Sequence, residues 1–202
     1  MRDLHTLPKA HLHLHFTGSM RHGTLLELAE RDGISLPESG TDASVVALGD
    51  RKNDAFNAVL ERDGVDPYPG TVALLDHLRD LGTPLAIVSS SANAPAVLDA
   101  AGLSDRFSTV VDGRVAAAEG LPGKPAPDTF QHAADALGVP REAAVVVEDA
   151  VSGVRAGAAG GFALVVGVDR GAGHDVLAGA GADVVVSDLL ELVPASSDGA
   201  SA

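Results

Sequence analysis

The sequence predicts an α/β fold, a doubly wound parallel sheet with helices on both faces, and three observations carry that expectation. Short apolar runs rich in β-branched residues, among them Leu85–Val88, Thr109–Val111, Val145–Val147 and Ala163–Val168, read as strands buried on both faces. Several are followed by a helix-length segment that stops at a glycine. The strand–helix alternation recurs at the spacing of right-handed crossovers. A chain of 202 residues is long enough for one such core with a small appendage.

Taken in order, residues 10 to 16 alternate with period two, so that Leu12, Leu14 and Phe16 share one face of a strand and His11, His13 and His15 the other. Thr17-Gly18-Ser19 turns the chain into an amphipathic helix marked by Leu25, Leu26, Leu28 and Ala29, with Glu27 and Arg31 four apart and Gly33 as its stop. Ser35 to Ser44 reads as a connector, and Phe56, Val59 and Leu60 mark a second helix closed by Gly64. Leu74, Leu75, Leu78 and Leu81 form the face of a helix ending at Gly82. The strand Leu85–Val88 then runs into Ser89, and Asn93 stands where it can cap a helix that stops at Gly102. The strand Thr109–Val111, a helix from Asp128 to Leu137, the strand at Val145, a helix from Ser152 to Ala159, the strand Ala163–Val168 and a last strand Asp183–Val186 complete the series. The tail from Pro194 reads as disordered.

Composition narrows the function classes. A formal net charge of −14 and no basic stripe argue against nucleic acid or an anionic membrane as partner. No cysteine is present, which excludes disulfides, thiolate metal sites and a catalytic thiol. No signal-peptide pattern and no apolar run near the ~18 residues of a membrane span occur, so a cytoplasmic protein, expected as a monomer, is the reading.

Three predicted strand ends carry distinctive groups, and in an open α/β sheet the carboxyl edge is where ligands bind. Ser89 and Asn93 offer a hydroxyl and an amide at one. Lys124 lies in Gly123-Lys124-Pro125-Ala126-Pro127-Asp128, and Glu148 and Asp149 follow Val145–Val147 directly. Hydroxyls bind phosphate oxygens, a lysine neutralises charge on a transferring phosphoryl group, and paired acids hold a hard cation through oxygen ligands. The structural alternatives are that Asp149 or Ser152 caps the following helix, that Ser89 caps its own, and that Lys124 is a solvated lysine.

Val88-Ser89-Ser90-Ser91, the Gly123–Asp128 segment and Val147-Glu148-Asp149-Ala150-Val151-Ser152-Gly153-Val154 resemble, in this order, the second, third and fourth motifs of the haloacid dehalogenase superfamily. The resemblance is to its β-phosphoglucomutase-like phosphatases and mutases and spans roughly Gly49 to Leu192. It implies a Rossmann-like core with a small helical cap and a small phosphorylated sugar as partner. Ser89, Ser90 and Asn93 would contact the phosphate, Lys124 would stabilise its charge, and Glu148 with Asp149 would help hold Mg2+. Arg51, Lys52 and Asn53 resemble the cap segment that grips the sugar phosphate, with a solvated helix start as the alternative.

The resemblance is incomplete. Members of that superfamily carry an Asp-x-Asp-Gly motif on their first strand, whose first aspartate is the phosphoryl-accepting nucleophile, and no such motif precedes Gly49. Residues 7 to 37 instead resemble the N-terminus of adenosine deaminases, in which His13 and His15 would be the first two zinc ligands. Two ligands do not make a catalytic zinc site, and the chain is far too short for a ~250-residue barrel, so neither Zn2+ at His13 and His15 nor deaminase activity is expected. The implied organisation is a deaminase-like strand and helix at 1–40, a cap remnant at 41–66, a core at 67–193 and a tail at 194–202. The strand at 10–16 could take the place of the missing central strand, which would put His15 where the nucleophile belongs. The leading expectation is thus a sugar-phosphate phosphatase or mutase relative with a compromised nucleophile; a non-catalytic phosphometabolite binder and a chimeric fragment are the alternatives.

Overall fold

In the computed structural model the described residues are 56, 58, 60 and 62–194. The expected strand at 10–16, the helix and connector that follow it, the Arg51–Asn53 segment and the tail beyond Pro194 lie outside them. The helix expected around Phe56 and Leu60 is helical at every described position from 56 to 63, and the Gly64 N–H closes on the Leu60 carbonyl at 2.9 Å.

From Pro69 on, five strands in parallel ladders and six α-helices make up the described fold. Helix α1 (Pro69–Asp80) starts on a proline whose missing N–H costs nothing at that position. It is followed by β1 (Ala86–Val88), α2 (Ala94–Ala100), β2 (Thr109–Val111), α3 (Gly113–Ala118) and α4 (Asp128–Ala136). The second half comprises β3 (Val145–Glu148), α5 (Val151–Ala159), β4 (Leu164–Val168), α6 (His174–Gly179), β5 (Val184–Val186) and a capped 3-10 turn, Leu189–Leu192. The short helices α3 and α6 are not marked by any long apolar stripe, and sequence periodicity passes over both.

Strand β1 pairs with β2, aligning Ile87 with Val110, while β3 pairs with β4 and β4 with β5, aligning Val147 with Val166 and Gly167 with Val185. Among the described residues these form two parallel ladders, of two and three strands, where one continuous sheet was expected. Side-chain packing nevertheless makes them one layer. On one face Ile87, Val145, Val147, Leu164 and Val166 join Leu74, Leu75 and Leu78 of α1 and Leu98 of α2; on the other, Ala86, Val88, Val146 and Val165 join Phe130 of α4, Val154 of α5 and Leu177 of α6. The alternation along each strand divides its residues between the two cores, which is the doubly wound arrangement.

The C-terminal turn closes the first core. Asp188 accepts from Leu190 N at 2.8 Å while Glu191 accepts from Asp188 N at 3.0 Å, a reciprocal capping box that holds buried Leu189 against α1. Leu75, fully buried in that core, is a direct test of it: Leu75→Ala is expected to lower unfolding free energy by about 3 kcal/mol in urea denaturation, the transfer loss plus the cavity left behind.

Candidate functional site

The carboxyl end of β3 carries Glu148, whose side chain has no exposed surface. Its position follows from strand alternation: Val146 and Glu148 point toward α5, and a carboxylate can fit there because α5 presents Gly153 opposite it. A Cβ at 153 would lie 2.0 Å from the Glu148 carboxyl carbon, so only glycine leaves room for the acid. One carboxylate oxygen accepts from Ala150 N at 3.2 Å and the other is paired with the Lys124 ammonium. The structural alternative, capping by Asp149 or Ser152, is not realised: Ala150 occupies the N-cap of α5, with no side-chain cap, and Glu148 receives its amide instead.

Lys124 reaches this point from the segment between α3 and α4. Its ammonium donates to the Val88 carbonyl at 3.2 Å and to Glu148, and lies 4.7 Å from the Phe130 ring centroid, within cation–π range. The side chain is 5% exposed, which corrects the alternative of a solvated lysine. Burial pushes its pKa below the ordinary lysine value, while the charges of Glu148 and Asp149 and the hydrogen bond to Glu148 pull the other way. One residue thus ties the carboxyl end of β1 to that of β3.

The loop from Ser89 to Asn93 begins where Val88 ends. Ser89 N donates to Val111 O at 2.9 Å, continuing the β1–β2 ladder, and the loop then folds on its own hydroxyls: Ser91 N donates to Ser89 Oγ and Asn93 N to Ser91 Oγ, each at 3.1 Å. A hydroxyl oxygen that accepts from the backbone keeps its O–H proton to donate outward, so Ser89 and Ser91 are set up as donors, which suits an anion. Ser90 is exposed and Ser89 buried. Asn93 is buried at the N-cap of α2 but makes no capping hydrogen bond through its side chain, a correction to the expected cap.

The structure therefore gathers Ser89, Lys124 and Glu148 at one sheet edge, with Asp149 half-buried beside Glu148 and Asn93 at the far end of the loop. Arg51, Lys52, Asn53, His13 and His15 lie outside the described residues. Sequence reading passed over three contributors. Asp112, buried at the end of β2, accepts from Arg114 N at 3.0 Å and Val115 N at 2.9 Å and caps α3; Gly113 sits against the serine loop; Gly153 makes room for Glu148. An aspartate directly after the strand Thr109–Val111 was the one legible signal among these.

Among the described residues no three metal-ligating side chains cluster. The chemistry of the donors still suits Mg2+, which takes one or two protein carboxylates and completes its octahedron with water and substrate oxygens. Asp149 would hold the ion with Glu148 adjacent, Glu148 being already bound to Lys124 and Ala150 N.

Two substitutions test the site's construction. Gly153→Ala is expected to lose about 1–3 kcal/mol by overpacking, read as a lower urea midpoint at unchanged m-value. Lys124→Met leaves a carboxylate buried without its cation and should cost about 3–5 kcal/mol, most of which Lys124→Met/Glu148→Gln recovers in the same assay.

Comparison with known proteins places these features in context. A profile described as haloacid dehalogenase-like hydrolase matches residues 21–161. A β-phosphoglucomutase of Mycobacterium bovis is 41% identical over 194 residues, covering 92% of this chain and 74% of that protein. A putative adenosine/adenine deaminase of Streptomyces coelicolor is 55% identical over 62 residues, covering 31% of this chain but 17% of that protein. Among solved structures, a β-phosphoglucomutase from Clostridium difficile superposes with a TM-score of 0.72 at 20% identity, covering 91% of this chain and 92% of that one, a likeness of fold.

Proposed function

Since this chain belongs to the haloacid dehalogenase-like hydrolase family, we propose that it binds the phosphoryl group of a small sugar phosphate at the carboxyl edge of its sheet. Ser89 and Asn93 contact the phosphate oxygens from the serine loop and Lys124 faces them from the other side. The observation that carries this reading is that Lys124 touches both Val88, the residue before Ser89, and Glu148, so the cation links the start of the serine loop to the acid at the end of β3. Ser90, exposed on the same loop, and Arg51, Lys52 and Asn53 in the segment before the core would contact the rest of the ligand. The M. bovis relative's name supports a phosphorylated hexose as the substrate class.

Charge balance explains why Mg2+ belongs to this reading. Lys124 is neutralised by Glu148 in the folded chain, so an incoming phosphate dianion meets donors but little net positive charge. When bound, Mg2+ would supply that charge and polarise a phosphoryl oxygen. Asp149 would hold the ion, Glu148 orients Lys124 through their ion pair, and Lys124, 5% exposed, keeps a proton-bearing donor beside the phosphate.

The sequence of this chain contains no Asp-x-Asp-Gly motif, so the aspartyl-phosphate route lacks its nucleophile and turnover near background is the expected behaviour. The chain acts as a phosphometabolite binder unless another nucleophile serves, and His15 is the candidate the sequence offers. In calorimetry with Mg2+, inorganic phosphate and β-glucose 1-phosphate are expected to bind, and Ser89→Ala to weaken both about tenfold, the worth of a hydrogen bond to a charged group. Asp149→Asn is expected to abolish the Mg2+ dependence of that binding. Absence of any phosphate-dependent heat would overturn the reading; Mg2+-dependent turnover well above background that survives His15→Ala would overturn the catalytic impairment and place the nucleophile elsewhere.

A further inference from the structure

The serine loop is held from outside by a single stretch of chain. Val111 accepts from Ser89 N at 2.9 Å, Gly113 N donates to Ser91 O at 3.2 Å, and Lys124, at the far end of the same stretch, donates to Val88 O at 3.2 Å. Both ends of residues 111–124 therefore hold the first half of the loop, from Val88 to Ser91, and Lys124 belongs to that support as well as to the site. The beginning of the stretch is rigid: Asp112, 4% exposed, fixes the first turn of α3 through its bonds to Arg114 N and Val115 N. Its close contact with the loop is backbone to backbone. A Cβ on Gly113 would lie 2.8 Å from Ser90 O, 3.2 Å from Ala92 N and 3.4 Å from Ser91 C, and none of these atoms can swing aside as a side chain would.

From this geometry we infer that the Asp112–Gly113 step is a positioning element for the site. It sets the separation between the loop hydroxyls and the Lys124 ammonium, and with it the affinity for a phosphoryl anion. The inference rests on the anion-binding reading above. Asp112 and Gly113 touch no ligand themselves. A side chain at 113 displaces Ser90 to Ala92 while Lys124 stays anchored on Val88 and Glu148, so the two halves of the anion site move apart. Removal of the Asp112 cap loosens the same support without adding bulk.

The test combines phosphate calorimetry with amide hydrogen exchange of the ligand-free protein, on wild type, Gly113→Ala, Asp112→Ala, Asp112→Asn and, as a control on the exposed side of α3, Ala118→Ser. Gly113→Ala and Asp112→Ala are expected to weaken inorganic phosphate about tenfold and to speed exchange at Ser91 N and Asn93 N. Asp112→Asn, an equally good N-cap, should restore both readouts, and Ala118→Ser should change neither. Charge alone predicts the opposite pattern, since loss of a carboxylate near an anion tightens binding in Asp112→Ala and Asp112→Asn alike; that result overturns the inference. So do wild-type affinity and exchange in Gly113→Ala, or, if that variant does not fold, in Asp112→Ala. A merely structural role would lower melting temperature and leave phosphate affinity intact. If the wild type binds no phosphate, the functional reading falls, and the exchange rates decide positioning alone: unchanged rates at Ser91 and Asn93 overturn it.

Discussion

A buried lysine and glutamate paired at the carboxyl edge of the sheet impose most of the constraints on this molecule. Removing two charges from solvent costs several kcal/mol for each, and their attraction offsets that cost only when the remaining donors and acceptors are satisfied. The surroundings of Lys124 and Glu148 meet that condition: the ammonium also has the Val88 carbonyl and the Phe130 face, and the carboxylate has Ala150 N. The pair in turn dictates glycine at 153 and keeps the ends of β1 and β3 in register, although among the described residues no ladder bond joins them.

The same pair shapes what the site can recognise. In a chain of net charge −14, anion binding cannot come from the overall field and depends on local donors. The serine loop offers such donors, because the Ser89 and Ser91 hydroxyl oxygens accept from Ser91 N and Asn93 N and so keep their own protons to donate. Since Lys124 shares its charge with Glu148, the proposed divalent cation beside Asp149 would supply the positive charge that a dianion needs.

Much of this was legible in the residues. Among the described residues the β-branched runs located the strands to within one residue at every end, because a strand covered on both faces must be apolar throughout. Ser89 and Glu148 could be singled out because each stands at the end of an apolar run, and Lys124 because its Gly-Lys-Pro-Ala-Pro-Asp segment resembles a superfamily motif; the expectation that Lys124 sits at a strand end is corrected, since it lies between α3 and α4. The helices α3 and α6 were missed because six-residue elements show too little of a 3.6-residue period. Asn93 was read as a cap because its residue type favours that role; in the fold its side chain makes no cap bond, and Glu148, not a residue of the N-cap, serves the start of α5.

By itself the sequence determined the layer architecture, the order of the strand-end motifs and the residue types available for phosphate and metal, since those depend on local pattern and chemical inventory. Only the tertiary structure decided that Lys124 is buried on Glu148 and Val88, that Gly153 and Gly113 let a carboxylate and a loop approach their helices, and that Asp112 caps α3 beside that loop. Lys124 reaches Glu148 and Val88 across 24 and 36 residues, and Gly113 meets Ser90–Ala92 across 21 to 23, while the near-neighbour fit of Gly153 to Glu148 depends on how α5 packs on β3. These contacts depend on packing distances that no local periodicity encodes.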